Sequence, residues 1–414
     1  MNAAHVLRLV SAAFVLTMSG RGVVGVVSGQ EPRELVVRTE QMPYPATASG
    51  PVAFAVDGAG RLFATHPSDG VVRMWSQSGA MEKSPSLRAH GPDFPWAIGF
   101  TGETLWLADR YARHLVRFRG DWEGGGTTAL ALPGRSGELH SRGILGVVAA
   151  DRLLVETTAS GLAMALSGNG KEGVRERIPG PLMPADIVTH LPVWLTDLDG
   201  SVIDTILSVS AERWLTVLIP PDGEGPEGIR FALAKEPFGD PPLLAVDPAA
   251  RHIVIVDRRV SPAGAATFTL HRIAVTGDTL RTTIARYVPI DLDASWVEAA
   301  AEKEALDLSE SVQEGARAAR AAFYIPPWLP PVSEVQVDRN GWIWLRREDV
   351  PEASQVAWEI WDEHDRRLGR VRLDRSLAIV AVHGLSAWAY SRNEGKVELF
   401  RLCVGSRATE TVTC

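Results

Sequence analysis

Apolar and polar positions between Val332 and Leu373 set a pattern that the rest of the chain repeats. An apolar-rich run, Val332–Val337, meets a tight Asp338-Arg339-Asn340-Gly341 turn, and a second run, Trp342–Leu345, follows. A polar loop leads to Ala357–Trp361, then a turn over Asp362–Arg367, then Leu368–Leu373. This pattern predicts four short strands and three turns. Asn-Gly is a strong hairpin signal because both residues tolerate positive φ. Weaker copies occupy Pro51–Gly79, Pro95–Leu132 and Pro242–Tyr287, and a three-strand version occupies Ala378–Leu402. Another copy starts at Gly143–Thr157 and resumes at Pro192–Thr196 and Val202–Leu207, which makes Gly161–His190 an insertion. The pair Trp214–Ile219 and Ile229–Ala234 reads as an inserted hairpin; counted as a blade, it would make seven. Glu34–Glu40 alternates like a strand but stands alone, and a lone strand is unstable. It fits as the fourth strand of the last repeat. The prediction is an all-β chain: a six-bladed β-propeller closed by an N-terminal strand, with helix and hairpin insertions.

The period changes after Tyr287. Ser295-Trp296-Val297-Glu298 reads as a capping box, and the Ala/Glu-rich run to Phe323 has helix composition. Tyr324–Pro331 ends it, since proline removes a donor and fixes φ. This helical insertion, about 295–323, is expected to cover a blade edge, with a lid as the alternative.

At the start, Arg8 precedes an apolar stretch from Leu9 to Met18, with small residues near Val27-Ser28-Gly29 before Gln30. Residues 1–29 read as a secretory leader, so the protein is expected to be exported to the periplasm or medium. The propeller then spans 30–404 and a tail 405–414. After the leader goes, no stretch is long and apolar enough to span a bilayer. The two cysteines, Cys403 and Cys414, either form one disulfide that pins the tail or stay apart on a loose terminus. They cannot build a zinc site by themselves.

Composition narrows the partners. Of 414 residues 45% are hydrophobic and 22% charged, an ordinary globular balance, and the 13 Trp suit bulky wedges between packed sheets. The formal net charge is −8, and loss of Arg8 and Arg21 with the leader leaves −10. That balance argues against nucleic acid or an anionic membrane as partner.

Two segments, Val337-Asp338-Arg339-Asn340-Gly341-Trp342-Ile343-Trp344 and Val56-Asp57-Gly58-Ala59-Gly60-Arg61-Leu62-Phe63, carry an apolar run, an Asp-x-x-Gly turn and a second apolar run. With Trp358-Glu359-Ile360-Trp361-Asp362 to Leu373 as an outer strand pair, the chain over 34–402 resembles the six-bladed β-propellers of the NHL/TolB-like superfamily, in particular exported bacterial members. The resemblance implies the fold. It leaves activity open, because this fold hosts binders, scaffolds, hydrolases and dehydrogenases.

Catalytic signatures are sparse. The G-x-G-x-x-G match at Gly20–Gly25 lies in the leader and the one at Gly168–Gly173 runs into Pro179 instead of a helix, so neither fits a dinucleotide site. Asp197-Leu198-Asp199-Gly200 lacks the later ligands of a calcium loop and reads as a turn. The sequence contains no G-x-S-x-G, H-E-x-x-H or Cys-x-x-Cys. What remains is positional. Loops joining the second and third strands of propeller blades gather on one face, and here they carry His66, Asp69, Asp109, Arg110, Asp257, Arg258, Arg347, Asp349, Arg392 and Asn393. Converging charges there suit a polar ligand; the alternative is a solvated rim of weak Arg–Asp pairs. The reading is a monomeric binding module for a protein or small molecule, with no catalytic set assigned and no cofactor identified. Calcium is considered, but without a motif. The alternative is a metal-dependent hydrolase or lactonase, or a sugar dehydrogenase, with Asp109, Asp257 and Asn393 as ligands.

Overall fold

A computed structural model describes residues 23–27, 32–45, 51, 53–82, 95–109, 114–118, 126–133, 139–149, 151–159, 190–210, 214–219, 230–235, 238–259, 266–306, 325–348, 353–393 and 396–405. The strands in chain order are β1 (Val23–Val27), β2 (Val36–Met42), β3 (Phe54–Val56), β4 (Leu62–His66), β5 (Val71–Trp75), β6 (Met81–Glu82), β7 (Pro95–Thr101), β8 (Thr104–Asp109), β9 (His114–Phe118) and β10 (Gly126–Ala129). They continue with β11 (Leu139–Ala149), β12 (Arg152–Ala159), β13 (His190–Asp197), β14 (Val202–Ser210), β15 (Trp214–Ile219), β16 (Arg230–Lys235), β17 (Leu243–Val246), β18 (His252–Asp257), β19 (Thr267–Ala274) and β20 (Thr279–Arg286). Helix α1 (Ala294–Leu306) precedes β21 (Val332–Val337), β22 (Ile343–Arg347), β23 (Gln355–Trp361), β24 (Arg367–Asp374), β25 (Ala378–His383), β26 (Ser386–Asn393) and β27 (Lys396–Gly405).

These strands form six antiparallel blades: I (β3–β6), II (β7–β10), III (β11–β14), IV (β17–β20), V (β21–β24) and VI (β25–β27 with β2). The β15–β16 hairpin is a separate two-stranded sheet and not a seventh blade. Each neighbouring pair of blades shares one buried apolar cluster, including VI with I through Trp388, Leu399, Leu62 and Trp75 and III with IV through Leu154, Ile206, Ile253 and Ile273. Six shared interfaces for six blades make a closed ring. The chain is a six-bladed β-propeller. Four tryptophans, Trp75, Trp344, Trp358 and Trp361, are fully buried as inter-blade wedges.

The Asp-x-x-Gly signal has a physical cause. Buried Asp338 accepts the backbone N–H groups of Asn340 (2.7 Å) and Trp342 (2.8 Å) on Oδ1, and that of Gly384 in blade VI (2.7 Å) on Oδ2. Asp57 holds the N–H groups of Ala59 and Arg61, and Asp247 those of Ala249, Arg251 and His252, in the same way. One carboxylate thus satisfies turn donors that burial would otherwise orphan. The expected pair of positive φ values at Asn340-Gly341 is not seen. Only Gly341 is left-handed, at φ 88°, because Gly341 N–H donates to Asp338 O and the Asp side chain organises the rest.

The closing strand is where the sequence places it: β2 runs antiparallel to β27 from Val36↔Gly405 to Met42↔Leu399. Just before it, Leu35 N–H donates to Arg370 O and Arg370 N–H donates to Arg33 O, so the segment also grips the outer edge of blade V. Gly369 permits this approach, since a Cβ there would lie 2.6 Å from Arg33 O. A third element is new. Strand β1, inside the stretch assigned to the leader, pairs in parallel with β20 and makes blade IV five-stranded.

The helix begins one residue before Ser295 and its cap is Asp293, whose Oδ1 accepts from Ser295 N–H at 2.7 Å. The capping-box reading is corrected accordingly, since Asp293 occupies the acceptor position assigned to Ser295. The expected remainder of the helix, 307–323, and most of the 161–190 insertion lie outside the described residues. No described helix is long and apolar enough to cross a membrane.

Turns between the first and second strands of the blades meet over the axis. Arg339 of blade V pairs with Glu103 of blade II at 3.1 Å, and these blades are diametrically opposite in a ring of six. Arg251 of blade IV donates to Arg339 O, and Gly58 of blade I lies against the Arg339 guanidinium. Phe100 N–H of blade II donates to Pro248 O of blade IV at 3.2 Å, past blade III. This end of the channel is bridged.

Candidate functional site, the loop end of the propeller

Loops between second and third strands, and connections between blades, emerge at the opposite end. The β12–β13 connection leaves and re-enters its blade at this end, and the β15–β16 hairpin and α1 belong to inter-blade connections that also leave and re-enter there. The described members of the expected site set are placed as follows.

His66 is fully buried, with Nδ1 3.5 Å from the Tyr44 hydroxyl. Tyr44 stacks on Trp75, whose Nε1–H donates to Pro43 O at 3.0 Å. This cluster seats the chain between the closing strand and blade I. Asp69 pairs with Arg73 at 2.7 Å and Asp109 with His114 at 3.3 Å, each within its own blade. Asp257 accepts from Arg259 N–H at 3.3 Å. Its charge pulls the His271 pKa upward, but burial of that imidazole dominates and lowers it. Arg258 is buried and donates to Pro241 O and Val332 O, both at 2.7 Å, tying the starts of the innermost strands of blades IV and V together.

Arg347 turns inward. Its guanidinium lies over the Phe268 ring (5.0 Å) and the Tyr287 ring (5.7 Å), and 3.6 Å from Glu359. Burial lowers its pKa, with Glu359 acting against that shift. Arg367 approaches the same Glu359 at 3.7 Å. Burial also raises the Tyr287 pKa. Arg110, Asp349 and Cys414 lie outside the described residues; Arg392 and Asn393 end β26 opposite Val397 and Lys396, with their side chains outside the description. Cys403 is buried and disulfide-bonded. Among the described residues no three His, Cys, Asp or Glu side chains group as a metal site.

Sequence reasoning passed over a polar set on the innermost strand of blade V. Gln336 Nε2 donates to Glu334 Oε1 at 3.1 Å and faces Ile379 O of blade VI at 3.4 Å, and Arg346 stands 3.7 Å from Glu334. Burial raises the Glu334 pKa, against the hydrogen bond from Gln336 and the pull of Arg346. The signal is present in the run VSEVQV, where Ser333, Glu334 and Gln336 interrupt the valines of an inner strand. A protonatable carboxyl beside an amide can both donate and accept hydrogen bonds.

No protein-family model matches this chain, and no curated protein sequence matches it. Solved structures similar to it include a candidate exported protein from Bacteroides fragilis, at 8% identity and TM-score 0.43, covering 92% of this chain and 99% of that one. Virginiamycin B lyase from Staphylococcus aureus aligns at 10% identity and TM-score 0.38, over 89% and 99% of the two chains. The calcium-binding protein regucalcin from Agrobacterium tumefaciens aligns at 11% identity and TM-score 0.34, over 93% and 97%.

Proposed function

We propose that this chain is an exported propeller that binds a polar small molecule or a protein segment at its loop end, without catalysing a reaction. The observation that carries the reading is the Arg339–Glu103 pair across the axis. With the turn end bridged, a ligand reaches the ring from the end where the insertions gather. Propeller ligands characteristically sit where loops converge on a channel. The half-buried Glu334 and Gln336 supply polar contacts within reach of the innermost strands. Arg258 and Arg347 act as braces that fix the loop end's shape.

The test is metal analysis of the purified protein, with thermal unfolding repeated in EDTA and in added calcium. Metal-free protein with an unmoved midpoint is expected. A stoichiometric metal and a midpoint that follows the chelator would favour the metal-dependent hydrolase reading instead.

A further inference from the structure

We propose that the leader is cut between Gly22 and Val23, and that Val23–Val27 remains in the exported protein as the fifth strand of blade IV. The proposal rests on the export reading and relocates its processing site. Strand β1 pairs with β20 throughout its described residues, from Val23↔Arg281 through Gly25↔Thr283 to Val27↔Ala285. It is the first of three anchors on consecutive blades. Arg33–Leu35 hold the edge of β24 in blade V, and β2 closes blade VI. The N-terminal segment is therefore a belt around half of the ring.

A cut after Gly29 would discard the first anchor and leave the outer edge of β20 over Arg281–Ala285 unpaired, a template for wrong pairing. The sequence offers a better site. Gly20-Arg21-Gly22 presents small residues at both positions of an A-x-A-like signal, four residues beyond the apolar stretch that ends at Met18. Val27-Ser28-Gly29 has a β-branched residue at the first of those positions, and Gly29 lies eleven residues beyond Met18. In the cut, a leader peptidase of the export machinery adds water across the Gly22–Val23 amide. The leader leaves with the Gly22 carboxylate, and Val23 keeps a free α-amine.

The experiment is expression of the full chain in a bacterial host, with the N-terminus of the exported protein read by sequencing and intact mass. A start at Val23 is expected. A start at Gln30 overturns the proposal while export stands; an uncut chain in the cytoplasm overturns both. Gly22→Leu should cut processing at least tenfold while Gly29→Leu leaves it unchanged, and the reverse result refutes the site. For the structural half, protein 23–414 should melt at least about 2 °C above protein 30–414 and protect β20 amides from hydrogen exchange. Equal midpoints and equal protection of β20 would show that β1 has no place in the folded protein.

Discussion

Replacing Asp338 probes how the turns hold the ring together. Its carboxylate is fully buried and accepts three backbone N–H groups, two in its own turn and one from Gly384 in the next blade. Asp338→Ala orphans all three. A buried unsatisfied donor costs about 1–3 kcal/mol, giving an upper range of several kcal/mol. Two effects reduce it. Burial already raises the Asp338 pKa, so removing the carboxylate relieves a desolvation cost, and Asn340 is near enough to solvent for water to replace one bond. The expected loss is on the order of 3 kcal/mol. Asp338→Asn keeps Oδ1 for the turn but points an amide N–H₂ at the Gly384 N–H, for a loss on the order of 1–2 kcal/mol. Urea unfolding at pH 7 with matched m-values reads both. An alanine variant within about 1 kcal/mol of wild type, or an Asn variant no better than Ala, would refute the claim that this carboxylate organises the turn and joins blades V and VI.

Arg258→Ala should cost on the order of 3 kcal/mol in the same assay, since two charge-assisted bonds to the Pro241 and Val332 carbonyls go, while Asp69→Asn should cost at most about 1 kcal/mol because its pair with Arg73 is partly solvated. Gly369→Val forces a side chain into Arg33 O and Leu35; loss of the two bonds there predicts about 1–3 kcal/mol and faster amide exchange over 33–42. Glu334 has a raised folded pKa, so the native state holds its proton more tightly than the unfolded chain. Its contribution is full below the unfolded carboxyl value and is lost as pH rises through the folded one. Glu334→Gln should therefore gain on wild type between pH 4 and pH 7; a constant difference across that range would contradict the assignment.

Much of the fold was legible because its determinants are local. The Asp-x-x-Gly turn is visible because one carboxylate serves donors two and four residues on. The closing strand is visible because Glu34–Glu40 alternates with nothing beside it. Strand β1 was hidden by its composition, since VVGVV beside a leader reads as part of the leader and its partner lies more than 250 residues away. The site was harder to read. Position in the loops places Arg258 and Arg347 at the loop end of the ring, but side-chain direction depends on the neighbouring blade. Pro241, Val332, Phe268 and Glu359 draw both inward. Glu334 is inconspicuous in the sequence because it sits among the valines of an inner run.

The most direct test of ligand entry from the loop end is a cross-link across the turn end. Glu103→Cys with Arg339→Cys, treated with a short thiol-to-thiol linker and read by peptide mass spectrometry, should join the two turns within the monomer. Glu103→Cys with Ser68→Cys, at the opposite end of the ring, should not be joined. Failure of the first pair to link, or equal linking of the second, would contradict a ring bridged between blades II and V.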